Sequence, residues 1–468
     1  MKWCMNINKL SEIVSGEIHN LSGDEIVKNV VRDDREVDEG TVFVALRGEN
    51  NNGHRFAGRA VENGAVCCVV NRDEGDFGQL PVVAVDDTYK ALMDIASFYR
   101  DQFSIPVVGV TGSVGKTSTK GMIASVLGRE YTTLKTEGNY NNEVGVPLTL
   151  FRLSDDDEAA VIEMGMSDFG EISRLSKIVK PDTAVITNIG ISHIEHLGSR
   201  EGICRAKFEI LDGLAVDGTV ILNGDDDMLW AKNGDLEYET LYFGIENKAC
   251  DLVASDIKLY SSGSEFTAKI DGKQYRFEVN APGIHQIYNA LAAILVGYSY
   301  NVRVDSMIKG VHDFRPEGLR QVKTEYDRFI TINDCYNACP DSMESGLDVL
   351  VLTAEERGKA ARKVACLADM LELGDAAERE HRRVGKMCAE KGVDCLITIG
   401  SMAKNIALGA VEAGVNSSDV YEFDSNEEAE KRLKSIIKTG DVIWIKGSRG
   451  MHLERIAEAL DRLGKSGQ

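Results

Sequence analysis

No stretch of this 468-residue chain strings together the roughly 18 apolar residues that a membrane-crossing helix needs. The start, MKWCMNINKLSEIVSG, lacks the basic-then-apolar layout of a secretory signal. Both absences point to a cytoplasmic protein that works on dissolved material and has no membrane partner. Positive charge is scarce: 53 Lys and Arg against 75 Asp and Glu leave a net charge of −22. Such a surface repels nucleic acid. It still permits a phosphorylated ligand, held by a local loop of backbone N–H groups. The ten cysteines show neither zinc-ligand spacing nor a disulfide framework. Cys67 and Cys68 are adjacent in an apolar run, and Cys335 and Cys339 are separated by three residues. Reduced core thiols are the simpler reading. Internal repeats and low-complexity linkers are also missing.

What is present is ordinary globular material, 43% hydrophobic and 27% charged. At roughly 150 residues per domain the length suggests about three domains. Residues 1–104 read as a small α/β unit. TVFVAL (41–46), AVCCVV (65–70) and PVVAVDD (81–87) are its strands, and YKALMDIASFYRDQF (89–103) is an amphipathic helix. Residues 105–314 read as a central unit with a mainly parallel sheet. Its strands are PVVGV (106–110), AAVIEMG (159–165), DTAVITNIG (182–190) and GTVILNGDD (218–226), with helices between them. The stretch 240–280 alternates apolar and polar residues around two turns, and is expected to add antiparallel strands at the sheet edge. The proline and glycine of HDFRPEGLR (312–320) mark the second boundary. Residues 315–468 repeat strand then helix: FITIND (329–334), KVACLAD (363–369), CLITIG (395–400), VYEF (420–423) and DVIWIKG (441–447). That pattern is Rossmann-like. It has no G-x-G-x-x-G fingerprint, so a nicotinamide role is unsupported.

The sharpest chemical signal is GVTGSVGKTSTK (109–120), between the strand 106–110 and a helix predicted from Lys116 to about Leu127. Thr111, Gly112, Ser113, Val114 and Gly115 form a loop, and Ser118 follows in the first helical turn; N–H groups there can face phosphate at a helix N-terminus. Lys116 reaches the outer phosphates, and Thr117 offers a hydroxyl to Mg²⁺. The ordinary phosphate loop would have a first glycine at position 110, which here is Val110. The loop says ATP or GTP, not what the nucleotide is for. Three further residues are metal-centre candidates: Glu163 at a strand end, His193 after another strand, and Lys207 on a predicted helix. Alone, each has a bland explanation: a strand-end cap, a structural hydrogen-bond partner, a solvated lysine. Only their conjunction with the phosphate loop makes a site.

Taken in order, TGSVGKTSTK (111–120), EMG (163–165), TNIGISHIEHLGS (187–199), AKFEI (206–210) and HQIYNALAA (285–293) resemble the Mur ligase family, including its folate-polyglutamate relatives. The likeness spans essentially the whole chain. It implies a UDP-binding first domain, a central ATPase-like domain and a Rossmann-like third domain. It also implies that ATP and Mg²⁺ convert a substrate carboxylate to an acyl phosphate, which an amine then attacks. By the same likeness, Lys116 and Thr117 serve the phosphates, and Thr117, Glu163, His193 and Lys207 the metal. Lys207 stands where the family carries a carbamylated lysine. Asn289 lies near adenine, Arg320 near the phosphates and Asp334 near the ribose.

GNYNNEVGVPLTL (138–150), NDCYNACPDSM (333–343), ADMLELG (368–374) with EHRRVG (380–385), and IKGSRGMHLE (445–454) resemble the members that add D-alanyl-D-alanine to UDP-N-acetylmuramoyl-tripeptide. The Asp-Asn-Pro signature of the diamino-acid-adding members is absent. Arg35, Arg47 and NNGHRF (51–56) match the UDP contacts. Asp34 replaces a common serine, and would repel a diphosphate unless it pairs with Arg35 or bonds a ribose or uracil N–H. Cys339 replaces a common asparagine. Asn139, Asn142 and Asn337 are acceptor-side candidates. Lys446, Ser448 and Arg449 are candidates for the dipeptide carboxylate. A monomer is expected by the same likeness. The rival readings are a sibling ligase with another amino acid and a phosphate-loop switch ATPase without ligation.

Overall fold

The computed structural model describes residues 3, 5–48, 51–358 and 360–465. Cys4, Glu49 and Asn50, which fall inside segments discussed above, lie outside the described residues, as do the chain ends. The strands form three sheets. In the first, Glu17–His19, Val82–Val85, Ala65–Asn71, Thr41–Val44 and Asn29–Val31 lie side by side, parallel except for the first. The helix Thr88–Arg100 buries Ala91, Leu92, Ile95, Ala96 and Tyr99 on one face, and Asp87 caps its start. Tyr99 stacks on Trp3 and donates its hydroxyl to the Leu153 carbonyl at 2.8 Å, which ties this unit to the central one.

The central sheet has nine strands. Val107–Thr111 lies between Ala159–Glu163 and Thr183–Ile186, parallel to both, and all three are fully buried. Burial on both faces explains why they read as unbroken apolar runs. The chain 240–280 departs from the expected pattern at its start. Glu239–Gly244 pairs parallel with Thr219–Asn223, and only Leu252–Tyr260, Gly263–Ile270 and Lys273–Val279 form the antiparallel edge. The helix Ile284–Ser299 is buried almost all round and packs on Lys116–Leu127.

The third sheet has six strands, parallel except for the edge strand Val322–Glu325. Gly346 in the helix Pro340–Arg357 lets Trp444 come so close that a Cβ there would collide with the indole. The nine cysteines among the described residues are all free, and seven are buried. No helix among the described residues is long and apolar enough to cross a membrane.

Candidate active site

The strand Val107–Thr111 feeds the Gly-rich loop, and the helix Lys116–Leu127 starts where the sequence placed it. Gly112 has φ 149°, and a Cβ there would collide with the Thr187 hydroxyl. Gly115 is the helix N-cap at φ 85°, and no side chain caps the helix. The first-turn N–H groups are therefore left for a ligand, and the helix end adds partial positive charge. The segment 187–190 holds the loop from behind. Asn188 Oδ1 accepts from Val114 N at 2.9 Å, Thr187 Oγ1 donates to the Val114 carbonyl at 2.6 Å, and Gly190 N donates to Ser113 Oγ at 2.9 Å. Lys116 folds onto its own loop, its Nζ donating to the Gly112 carbonyl at 2.8 Å. Burial pushes its ammonium down; Glu163 opposes this and Arg320 adds to it.

Glu163 ends its strand and is only 1% exposed. One oxygen, Oε1, accepts from Asn141 Nδ2 at 2.8 Å and from Thr117 Oγ1 at 3.2 Å. The other, Oε2, is buried with no hydrogen-bond partner. A buried carboxylate oxygen left bare is costly, and a cation offsets that cost. Arg320 arrives from beyond the second boundary. Its Nη2 donates to Thr117 Oγ1 at 3.1 Å, and its guanidinium lies 4.1 Å from the Tyr336 ring centre. His193 stands at φ 64°, with Nδ1 2.6 Å from the carboxylate of Glu372, itself at φ 62°. That contact holds the Glu372 carboxyl below the usual carboxylate range.

These groups face one cleft of about 460 Å³. Its central-sheet wall includes Ser113–Thr117, Asn139, Asn142, Glu163 and His193; its opposite wall includes Arg320, Asn337, Lys446, Ser448 and Arg449. Thr111, Gly112, Ser118, Lys207, Asn289 and Asp334 are not in the walls. Lys207 lies on the helix Arg200–Phe208 and is 1% exposed. Burial, then the nearby charge of Lys116, pushes it well below the ordinary lysine range. Among the described residues no carboxylate pairs with it. Asn289 braces the loop from beneath: its Oδ1 accepts from Thr119 Oγ1 at 2.8 Å and lies close against Gly115. Asp334 and Lys446 form a buried pair at 2.8 Å, so the Lys446 charge is already matched within the protein. Arg449 is exposed and pairs with Glu454.

Arg35 and Arg47 stand apart, on the first unit. Arg35 is bound to Asp33 at 2.5 Å, and Arg47 to Asp73 at 3.2 Å and to Glu74. Of the ways considered to offset the Asp34 charge, pairing with Arg35 does not occur: Asp34 pairs with Arg59, because Arg35 turns outward to Asp33 while the buried Asp34 side chain meets the helix Ala57–Glu62. Sequence reasoning missed Asn141, Asn188, Tyr336 and Glu372. Asn141 sits between two asparagines that were singled out. Only the fold distinguishes the one that turns to Glu163.

Among the described residues, no three His, Cys, Asp or Glu side chains cluster to hold a metal. A cation here would need oxygens from a bound phosphate as well, which is how Mg²⁺ is usually held.

Residues 110–297 match the Mur ligase middle domain, and residues 320–449 match the Mur ligase glutamate ligase domain. A curated relative from Bacillus subtilis, UDP-N-acetylmuramoyl-tripeptide--D-alanyl-D-alanine ligase, is 37% identical over 97% of this chain and 98% of its own. The chain belongs to the Mur ligase family. An Escherichia coli relative of the same name is 33% identical to this Mur ligase, over 98% of this chain and 99% of its own. Among solved structures, MurF from Acinetobacter baumannii superposes with a TM-score of 0.88 at 29% identity, covering 98% and 99% of the two chains. MurF from Thermotoga maritima in complex with ADP gives 0.83 at 28% identity, covering 95% and 100%.

Proposed function

We propose that this Mur ligase joins D-alanyl-D-alanine to UDP-N-acetylmuramoyl-tripeptide, with ATP converted to ADP and phosphate, as a step in making peptidoglycan precursor. The observation that carries the reading is the 37% identity to the Bacillus subtilis ligase, which runs through all three sheets. The tripeptide carboxylate attacks the γ-phosphorus of ATP, the bond to the β-phosphate oxygen breaks, and ADP leaves. The dipeptide amine then attacks the acyl carbon. Phosphate departs with a carboxylate oxygen, and the amine gives up a proton. A carboxylate is a poor electrophile because oxide is a poor leaving group; phosphate is a good one.

Lys116, Arg320 and the loop N–H groups would steady the charge on the transferred phosphoryl group. Thr117 and Glu163 fit Mg²⁺, since Glu163 Oε2 is buried and bare, with His193 beside them in the cleft wall. When bound, Mg²⁺ supplies positive charge against the phosphate oxygens. Lys207 suits carbamylation: burial and the nearby charge of Lys116 disfavour its ammonium form, and the negative charge of a carbamate would suit a cation near the phosphate loop. Asn289 and Asp334 would serve adenine and ribose. Asn139, Asn142 and Asn337 would meet the acceptor peptide, and Ser448 and Arg449, with Lys446 behind them, the dipeptide carboxylate. Arg35 and Arg47 would meet the UDP moiety.

The domains run 1–104 for UDP, 105–314 for ATP and 315–468 for the dipeptide. The enzyme acts as a cytoplasmic monomer and takes no nucleic acid or membrane partner. Phosphate release tests the reading: it should require the UDP-linked tripeptide and D-alanyl-D-alanine together. Release independent of both would favour a switch ATPase.

A further inference from the structure

Residues 314–320 link the helix Val304–Asp313 to the strand Val322–Glu325, which opens the third sheet. Such a connection between two lobes is ordinarily where they swing. Here it is fastened to the helix Lys116–Leu127 at three points, each three linker residues apart. Phe314 is buried against Gly121, where a Cβ would lie 3.1 Å from its ring. Glu317 pairs with Lys120 at 3.4 Å and with Lys135. Arg320 donates to Thr117 at 3.1 Å. The linker thus runs antiparallel to the helix, toward the end that faces phosphate.

The middle fastening stands out. Lys120 is fully buried, and its Nζ donates to the Thr136 carbonyl at 2.7 Å. A buried ammonium needs a countercharge. Among the described residues, Glu317 is the one carboxylate paired with it. Lys120 does not line the cleft, and its polar contacts are the Thr136 carbonyl and the Glu317 carboxylate. Burial raises the Glu317 carboxyl, but Lys135 and Lys120 outweigh burial and leave it below its usual range. On both sides of Arg320 the backbone bends sharply: Gly318 has φ 67° and Gln321 φ 55°. A guanidinium between two such bends needs an anchor close by.

We infer that Glu317 is a positioning residue for the phosphoryl transfer proposed above: clamped by Lys120 and Lys135, it fixes the linker so that Arg320 rests against Thr117. The inference rests on the ligase reading. Without the clamp, the side-chain contacts left to Arg320 among the described residues are Thr117 and Tyr336, and small displacements of a charge-stabilising group are costly to rate.

The test uses the full-length chain as Glu317→Gln, Glu317→Asp, Arg320→Ala and the Glu317→Gln/Arg320→Ala double variant. Glutamine keeps the shape and an acceptor for Lys120 but removes its countercharge, so some loss in melting temperature is expected on either reading and kcat is taken per folded molecule. We expect Glu317→Gln to lower kcat about tenfold, within the range that misplacement produces, with KM for the UDP-linked substrate unchanged. Glu317→Asp should recover part of the loss. Once Arg320 is gone, Glu317→Gln should slow the enzyme no further, because both act through one group. A purely structural Glu317 would leave kcat per folded molecule intact, and a Glu317 that acts apart from Arg320 would multiply with Arg320→Ala. Either result overturns the inference alone. Wild-type protein that makes no product overturns the ligase reading and the inference together.

Discussion

At the scale of single residues, the site is a set of groups whose ordinary preferences are frustrated. Among the described residues, Glu163 Oε2 is buried without a partner, Lys207 is buried without a paired carboxylate, and Gly112 holds a φ that a side chain would resist. On the proposed reading, a cation, CO₂ and phosphate would relieve them in turn. Lys207→Met keeps the volume and removes the amine. We expect it to fold normally and to ligate at least about 100-fold more slowly, the size of effect seen when a charge-stabilising group is lost. Wild-type activity should fall in CO₂-depleted buffer and return with bicarbonate; indifference to bicarbonate would count against the carbamate. Gly112→Ala puts a Cβ into the Thr187 hydroxyl and strains the backbone, at a cost of about 1–3 kcal/mol. ATP affinity by calorimetry should drop steeply, with a modest loss in melting temperature.

At the scale of elements, long or fully buried segments were legible and short edge segments were not. The strand Val107–Thr111 and the helix Lys116–Leu127 announce themselves by unbroken apolar text and a Gly-Lys-Thr start. Glu17–His19 and Val322–Glu325 do not: the latter is exposed at all four positions, so no alternation marks it, and it is a strand only because Ile330–Asn333 pairs with it. The site divides the same way. The loop, Glu163 and His193 are set by their own strand ends, whereas Glu372 and Asn141 gain meaning only when distant segments close on them. The helix Ile284–Ser299 carries a pH effect through His285. Burial pushes its imidazole down to about 4, against Asp334 and helped by Lys446. Unfolded histidine titrates near 6.5. The folded value is the lower one, so this contribution is complete above about pH 6.5 and is lost as pH falls toward 4, with a ceiling of roughly 3 kcal/mol. Melting temperatures between pH 7.5 and 5 should fall less steeply for His285→Gln than for wild type.

At the scale of the whole molecule, residues of the central unit and of the third sheet's unit together line the cleft. Arg320 is the clearest carrier of that arrangement. Arg320→Ala should lower kcat about 100-fold, as loss of a transition-state charge partner does, while KM for the UDP-linked substrate changes little, since Arg35 and Arg47 lie elsewhere. Steady-state kinetics with each substrate varied in turn would check this. The most direct test of the central claim is the mass of the nucleotide product after incubation with ATP, Mg²⁺, UDP-N-acetylmuramoyl-tripeptide and D-alanyl-D-alanine. The account predicts a product heavier than the tripeptide substrate by one dehydrated dipeptide, formed only when every component is present. An unchanged tripeptide mass, with or without ATP turnover, would contradict it.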